Sequence, residues 1–283
     1  GDYDDVALCD TIMNEQGIPN YDRYLALSSR DYNGLAGNLA ASTRSFGNAK
    51  SDKAYERSYV GMVAGFETYK LDYAQRITAK AGSATIATNG AQVRFVPAAT
   101  TNSVAGKLNV DNRFQQVTVS STTGVVAGDA FTVAGIEAVH HITKSSTGQL
   151  KTFRVISVDS GTTMTISPPM IGANSSPTDA ELSYKNINVA STSATAAIVF
   201  LNQNATSINP FWQKDAIEIL PGRYAVPGDA GVAVMRAATD QGIELVMQKF
   251  YDIDTMTTKY RLDTLFGVVN KQPQMSGVLL FNQ

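Results

Sequence analysis

The sequence has very few of the residues that build catalytic and metal sites. Cys9 is the single cysteine, and His140 and His141 are the only histidines in 283 residues. One cysteine excludes an intrachain disulfide and a cysteine-based zinc site, and it suits a reducing compartment. Because neighbouring residues of a strand point to opposite faces, the two histidines do not make a metal site together. We expect a solvent-exposed or cross-strand role for them.

Charge is also sparse, and neither sign dominates. Charged residues make up 17% of the chain, below the roughly 25% of an average globular protein, and the formal net charge is −2. A protein that grips nucleic acid through its phosphates normally carries a basic excess, and the sequence contains no run of Lys or Arg. Any nucleic acid is therefore predicted to be enclosed without specific binding. A sparsely charged surface also favours a protein that neighbouring subunits cover.

Long apolar runs are missing as well. No stretch approaches the roughly 20 apolar residues of a membrane-spanning helix, so we expect no membrane partner and no signal peptide. Hydrophobic residues nevertheless make up 43% of the chain, which is enough for a sizeable core. A length of 283 residues suits two domains of ordinary size.

One short motif matches an enzyme signature. The tetrapeptide DSGT at residues 159–162 is similar to the short signature of aspartic proteases. That chemistry needs two carboxylates that share one proton, and the sequence contains no second copy of the motif. We favour a hairpin turn, since Asp and Gly are common turn residues. Neither a GxxxxGK[ST] loop nor a strand-linked GxGxxG is present, so we expect no cofactor.

The first part of the sequence combines helical and strand patterns. Within residues 1–79, apolar residues at helical spacing in the segment 6–13 follow an acidic start and predict a helix. A short strand is predicted at residues 24–27. Ser28 or Ser29 then suits the N-cap of a second helix.

Near residue 80 the composition changes. Residues 80–186 carry few charges, are rich in Ser, Thr, Val and Gly, and show no helical period. Short alternating runs separated by turn residues recur instead, at 117–119, 131–133, 153–155 and 164–166. This pattern is typical of a small antiparallel barrel or sandwich. After residue 186 the composition changes back, and residues 194–202 suit either a buried strand or a short helix.

The last part of the sequence predicts a hairpin and several core residues. Two alternating runs are joined by a polar connector, with the segments 243–247, 252–257 and 260–268 in that order. The alternation of the second run predicts that Leu262 and Phe266 face one way into a core. Trp212, beside a proline and a phenylalanine, is predicted to be a third core anchor.

Four stretches of the sequence carry a resemblance to a known family. The longest is LNVDNRFQQVTVSSTTGVVAGDAFTVAG at residues 108–135. The others are YLALSSRDYNGLAG at 24–37, FWQKDAIEI at 211–219 and YRLDTLFG at 260–267. In order and approximate spacing these stretches resemble the coat protein of the P22-like short-tailed bacteriophages. Agreement over nearly the whole chain makes the resemblance more specific than any single motif.

The resemblance implies an α+β, tailed-phage capsid fold of the HK97 type that is discontinuous, with an inserted all-β, telokin-like barrel domain. The changes in composition occur where that insertion would begin and end. The predicted division is 1–79 and 187–283 for the axial and peripheral capsid core, and 80–186 for the insertion. In the family an N-terminal arm, an extended loop and a spine helix precede the segment that begins here, so we expect the chain to be N-terminally truncated.

The resemblance also implies a contact loop between subunits. In the family, a loop of the insertion reaches across two-fold axes with charged residues. The matching stretch, residues 97–107, carries a single charge, so we expect polar or apolar contacts there. The positions concerned are Pro97, Thr100, Asn102 and Lys107.

The implied function is structural and not enzymatic. The resemblance predicts a major capsid protein that self-assembles into the icosahedral shell of the virion around double-stranded DNA. Its implied partners are further coat subunits in hexamers and pentamers, and a scaffolding protein and a portal during assembly in the host bacterial cytoplasm. Two alternatives remain: a β-rich virion decoration or surface-binding protein, and an aspartic-type hydrolase that uses Asp159.

Overall fold

The computed structural model describes residues 2–42, 54, 57–80, 86–90, 100–103, 106–109, 113–172, 179–190, 192–226, 233–240 and 242–281. The chain divides into two compact units. Unit 1 comprises Gly1–Phe211 together with Val278–Gln283, and unit 2 comprises Trp212–Gly277.

The described part of the chain is α+β and rich in strands. Its helices are α1 (Tyr3–Glu15), α2 (Ser29–Ser42) and α3 (Asp179–Tyr184), with 3₁₀ turns at Lys214–Ala216 and Pro273–Met275. The strands up to the end of the insertion are β1 (Arg23–Ser28), β2 (Met62–Val63), β3 (Phe66–Leu71), β4 (Arg76–Ile77), β5 (Ile86–Ala87), β6 (Thr100–Ser103), β7 (Gly106–Asn109), β8 (Gln115–Thr118), β9 (Ala130–Val139), β10 (Ser146–Val158), β11 (Thr163–Ser167) and β12 (Ala197–Phe200). The later strands are β13 (Thr206–Ser207), β14 (Asn209–Gln213), β15 (Ile217–Pro221), β16 (Ala233–Ala238), β17 (Glu244–Asp252), β18 (Thr257–Thr264), β19 (Phe266–Asn270) and β20 (Ser276–Leu279).

Helix α1 forms where the acidic start and the apolar spacing predict it. The Asp2 backbone N–H donates to the Asp5 carboxylate at 3.0 Å, and carboxylates in the first turn stabilise the positive end of the helix dipole. Val6, Cys9 and Met13 form the buried face of the helix. Burial raises the pKa of the Cys9 thiol to about 12, so this cysteine is a packing residue and not a nucleophile.

A buried arginine ties the first strand to the end of α1. Arg23 of β1 pairs with Asp10. It also donates to Asn14 Oδ1 at 2.8 Å, to the Ile18 carbonyl at 2.6 Å and to the Pro19 carbonyl at 2.9 Å. A buried charge is tolerated only when its donors are satisfied in this way. The segment after the helix is therefore fixed to the central sheet of unit 1.

That central sheet has the strand order β2-β3-β1-β14-β20, with β1 and β3 parallel. At the end of β1, the Ser28 hydroxyl accepts from the Asp31 N–H at 3.2 Å and caps α2, as predicted. Asn209 of β14 links to both residues: its side chain accepts from the Ser28 N–H at 2.8 Å and donates to the Asp31 carboxylate at 2.9 Å. This polar cluster is buried and locks the start of α2 onto the sheet.

The predicted insertion, residues 80–186, contributes five strands to a six-stranded antiparallel sheet with the order β5-β12-β9-β10-β11-β8. The four alternating runs predicted from sequence all lie in it, in β9 to β11 and at β8 and its bridging neighbour Val119. Phe131 packs against Phe153 and Phe200 with ring centroids 5.8 and 5.7 Å apart. The core is closed by apolar side chains from every one of these strands.

The insertion differs from its sequence prediction in two ways. The ambiguous segment 194–202 contains a strand, β12, which lies between β5 and β9 in the sheet. A predicted end at residue 186 therefore leaves out a strand that the sheet contains. Helix α3 was not predicted, because its six residues are too few to show a helical period.

Unit 2 consists of two small antiparallel sheets. Strand β15 pairs with β19, and β16, β17 and β18 form a three-stranded sheet in that order. The predicted hairpin is confirmed. Strands β17 and β18 pair along their length as far as Asp252 and Thr257, and a turn joins these two residues.

The predicted core role of the second hairpin run is corrected. The run 260–268 is not one strand, because it breaks at Leu265 and its halves join different sheets. Leu262 is 67% exposed and Phe266 is 51% exposed, so neither anchors a core in the single chain. Alternation shows that a strand has two faces but not which face is covered. Trp212 is half-buried.

Candidate assembly surfaces and the junction of the insertion

The segments that lead into and out of the six-stranded sheet meet at a buried asparagine. Asn202 donates to the Thr78 carbonyl at 3.2 Å and to the Asp129 carboxylate at 2.8 Å. The backbone carbonyl of Asn202 accepts from the Lys80 N–H at 2.9 Å. Asp129 also accepts from the Val126 N–H at 2.9 Å, and both Asn202 and Asp129 are fully buried. The incoming chain, the outgoing chain and the start of β9 are thereby held together.

A histidine makes a second junction between the insertion and the preceding part of unit 1. His141, in the turn between β9 and β10, donates to the Glu15 carbonyl from its backbone N–H at 3.2 Å and from Nδ1 at 2.8 Å. Gly17 lies against the same ring with φ +73°, and a Cβ there would stand 2.2 Å from His141 Nε2. The C-terminal end of α1 is thus a docking point for this turn.

This role of the histidine pair differs from the predicted one. Both rings are half-buried in a turn, with centroids 4.7 Å apart, and His141 makes a tertiary contact. His140 Nδ1 accepts from the Ile142 and Thr143 N–H groups and shapes the turn itself. Sequence reasoning missed the contact because its partners lie more than a hundred positions away and no local pattern joins them.

Asp159 is a turn residue, as we favoured. It follows β10, and its carboxylate accepts from Gln116 at 3.0 Å, Ser157 at 2.8 Å and Thr165 at 2.7 Å. These donors hold the pKa of the Asp159 carboxyl below its ordinary value, with the Gln116 bond the largest cause. A carboxylate that is kept charged in this way is suited to fixing a hairpin rather than to sharing a proton.

The predicted contact loop includes a separate hairpin. Strands β6 and β7 pair with each other alone in their sheet, from Thr100 opposite Asn109 to Ser103 opposite Gly106. Asn102 and Lys107 are cross-strand partners in it. Pro97 lies outside the described residues.

Unit 2 exposes most of its large apolar side chains. Among its described residues, the buried hydrophobic ones are Ala216 and Val246. The exposed large ones are Ile219, Leu220, Val234, Met235, Phe250, Tyr251, Ile253, Met256, Tyr260, Leu262, Leu265, Phe266, Val268 and Val269. Large exposed apolar patches mark interaction sites in native proteins.

In the described part of the chain, no group of three or more His, Cys, Asp or Glu side chains is placed to hold a metal ion. No helix there has the length and hydropathy needed to cross a membrane.

Comparison with known proteins gives a match over almost the full length. The family model described as "P22 coat protein - gene protein 5" matches residues 1–282. Among solved structures, the chain is similar to a CUS-3 coat protein I-domain at 35% identity. That match covers 43% of this chain and 98% of the other, with a TM-score of 0.32.

Proposed function

Because the chain belongs to the P22 coat protein family and is a major capsid protein of a bacteriophage, we propose that it builds an icosahedral shell through hexamers and pentamers. The observation that carries this proposal is the scarcity of buried apolar residues in unit 2. A unit whose described core consists of Ala216 and Val246 gains little stability within its own chain. Its exposed apolar strands are suited to burial between subunits, as in obligate interfaces, which resemble a core cut in half.

The finer architecture is part of the same proposal. Residues 1–79 and the chain after the insertion form an HK97-type capsid core, and the insertion is a telokin-like barrel. We place its end near Asn202, and not at residue 186, because β12 completes the sheet and Asn202 meets the incoming chain. Inserted domains commonly have ends that lie close together, and this arrangement supports an insertion of residues 80–202.

The hairpin β6–β7 is proposed to reach a neighbouring subunit. Its strands pair with each other and with no other strand of the described chain. With Lys107 as the single charge in residues 97–107, the contact would rest on polar and apolar groups. Pro97, Thr100, Asn102 and Lys107 are the positions that we assign to it.

Partners and location follow from the capsid role. Coat proteins of this family form the virion capsid by assembling into oligomers. We propose a scaffolding protein and a portal as further partners during assembly in the host cytoplasm, and a DNA genome enclosed without specific binding, consistent with a net charge of −2. The decoration-protein and hydrolase alternatives are not favoured by the family match or by the hydrogen-bonded Asp159.

Assembly of the purified coat protein tests the proposal. Concentrated full-length protein, with and without a scaffolding protein, would be followed by light scattering and electron microscopy. We expect closed shells of uniform diameter. Subunits that stay monomeric and attach only to shells made by another protein would indicate a decoration protein instead.

A further inference from the structure

The two faces of the sheet β16–β17–β18 are very different. On one face, Val246 is completely buried. Beside it, Arg236 donates to Glu244 at 2.7 Å and to the Tyr224 carbonyl at 3.0 Å, while the Tyr224 N–H donates to Glu244 at 3.3 Å. This face is therefore covered around Val246 by the chain's own residues, and polar bonds join it to them, while Val234 and Phe250 farther along it are exposed.

The opposite face carries an apolar row that crosses all three strands. Met235, Met247 and Leu262 are direct cross-strand partners, so their side chains stand side by side. Tyr260 lies on the same face, two residues before Leu262, and the Lys249 ammonium is 5.8 Å from its ring centroid. We call Met235, Met247, Tyr260 and Leu262 the methionine face.

The methionine face is too apolar and too open to be an ordinary surface. Met235 is 65% exposed, Leu262 67% and Tyr260 64%, and Met247 between them is half-buried. Isolated surface hydrophobics are common, whereas a contiguous row of them is not. Among the described residues of the sheet that carries this row, Val246 is the only buried hydrophobic one. Most of the apolar area of this sheet is therefore left unburied within the single chain.

We propose that the methionine face is the surface on which unit 2 binds a second copy of this chain; the inference rests on the proposed shell-building function. In a shell, every subunit lies against others of its kind, so the same face is available for burial in each copy. Nucleic acid is a poor fit, because the face offers the single cation Lys249 and phosphate binding needs several.

The side-chain types also suit a contact between copies. Methionine has three rotatable bonds and a polarizable sulfur, so it packs against surfaces that differ slightly in shape. Subunits in hexamers and pentamers meet at different angles, and one face must serve both. Met247 at the centre of the row and Met235 on the edge strand allow this without a change in the backbone.

Accessibility of a cysteine placed on the face tests the proposal. In Leu262→Cys, the introduced thiol is exposed, while Cys9 is buried and serves as an internal unreactive control. We expect a maleimide to modify residue 262 rapidly in dissociated subunits and at least tenfold more slowly in shells. Equal rates in both states would show that no copy covers the face. Slow modification in both states would show that the chain itself covers it. Either result overturns the inference.

A charge on the same face should prevent assembly. Met235→Asp is expected to raise the protein concentration needed for shells at least tenfold, with an unchanged far-UV spectrum and a monomeric sedimentation coefficient. Val234→Asp is the matched control, since it lies on the same strand but points to the other face, and Met235→Leu should assemble normally. Normal shells from Met235→Asp would overturn the inference alone, whereas failure of the unmodified protein to form shells would overturn the proposed function.

Discussion

The insertion and unit 2 are both built from short antiparallel strands, yet they bury their apolar side chains very differently. In the insertion, strands β8 to β12 direct Phe131, Phe153 and their neighbours into one closed core. In unit 2, strands β16, β18 and β19 leave Met235, Leu262 and Phe266 exposed. The six-stranded sheet is thus stabilised within its own chain, whereas unit 2 leaves most of its large apolar side chains exposed. Under the proposed shell-building function, neighbouring subunits supply the burial that unit 2 lacks.

The largest effect is expected from removing the last strand of the insertion. A fragment of residues 80–202 should show dispersed amide spectra, β-dominated circular dichroism and one cooperative melt, because its core is closed without disulfides or metal. A fragment of residues 80–186 lacks β12, which separates β5 from β9 in the sheet, and it loses the buried Ile198 and Phe200. We expect the shorter fragment to be molten. Cooperative melting of both fragments would show that β12 is dispensable and that the insertion ends earlier.

A pair of phenylalanine truncations compares the two regions directly. Phe131→Ala removes a fully buried ring and should cost about 3–5 kcal/mol of unfolding free energy. Phe266→Ala removes a ring that is 51% exposed and should cost less than about 1 kcal/mol in the dissociated subunit. Urea unfolding of subunits measures both values, and shell yield measures assembly. Equal destabilisation by the two variants would contradict the contrast between a closed core and an open one.

How far the sequence predicted this molecule depends on whether the information was local. Helix α1, the Ser28 cap and the turn at Asp159 follow from residues a few positions apart, and the structure confirms them. Which face of a sheet in unit 2 is covered depends on the segment that packs over it, and alternation carries no information about that segment. The prediction from alternation that Leu262 and Phe266 lie in a core was therefore wrong for the single chain. The assignment of β12 required knowledge of its partners β5 and β9.

A smaller effect is expected where His141 docks on the end of α1. Gly17→Ala adds a Cβ to a residue in the left-handed backbone conformation and places it against the His141 ring. We expect the free energy of unfolding to fall by about 1–3 kcal/mol. His141→Ala removes the bond from Nδ1 to the Glu15 carbonyl and should cost about 1 kcal/mol. In the double variant the clash between the added methyl group and the imidazole ring is absent. The combined loss of stability should therefore be smaller than the sum of the losses in the two single variants. Additive losses in a double-mutant cycle would show that Gly17 is needed only for its backbone conformation.

The smallest effect is expected at Asp159, where the insertion is held by an exposed turn. Hydrogen bonds from Gln116, Thr165 and Ser157 favour the charged carboxylate and lower its pKa in the folded protein. A group with a lowered folded-state pKa contributes stability that is fully present above its unfolded pKa of about 4. That contribution is lost as the pH falls through the lower folded-state value. Asp159→Asn keeps the turn and weakens these bonds, so it should cost less than about 1 kcal/mol at neutral pH and should make the melting temperature less sensitive to pH below about 4. Thermal melts of the 80–202 fragment across that range measure the difference, with Asp254→Asn in the full-length chain as a control for a carboxylate outside the insertion. A steeper pH dependence in Asp159→Asn than in the unmodified fragment would show that the folded state does not favour the charged form.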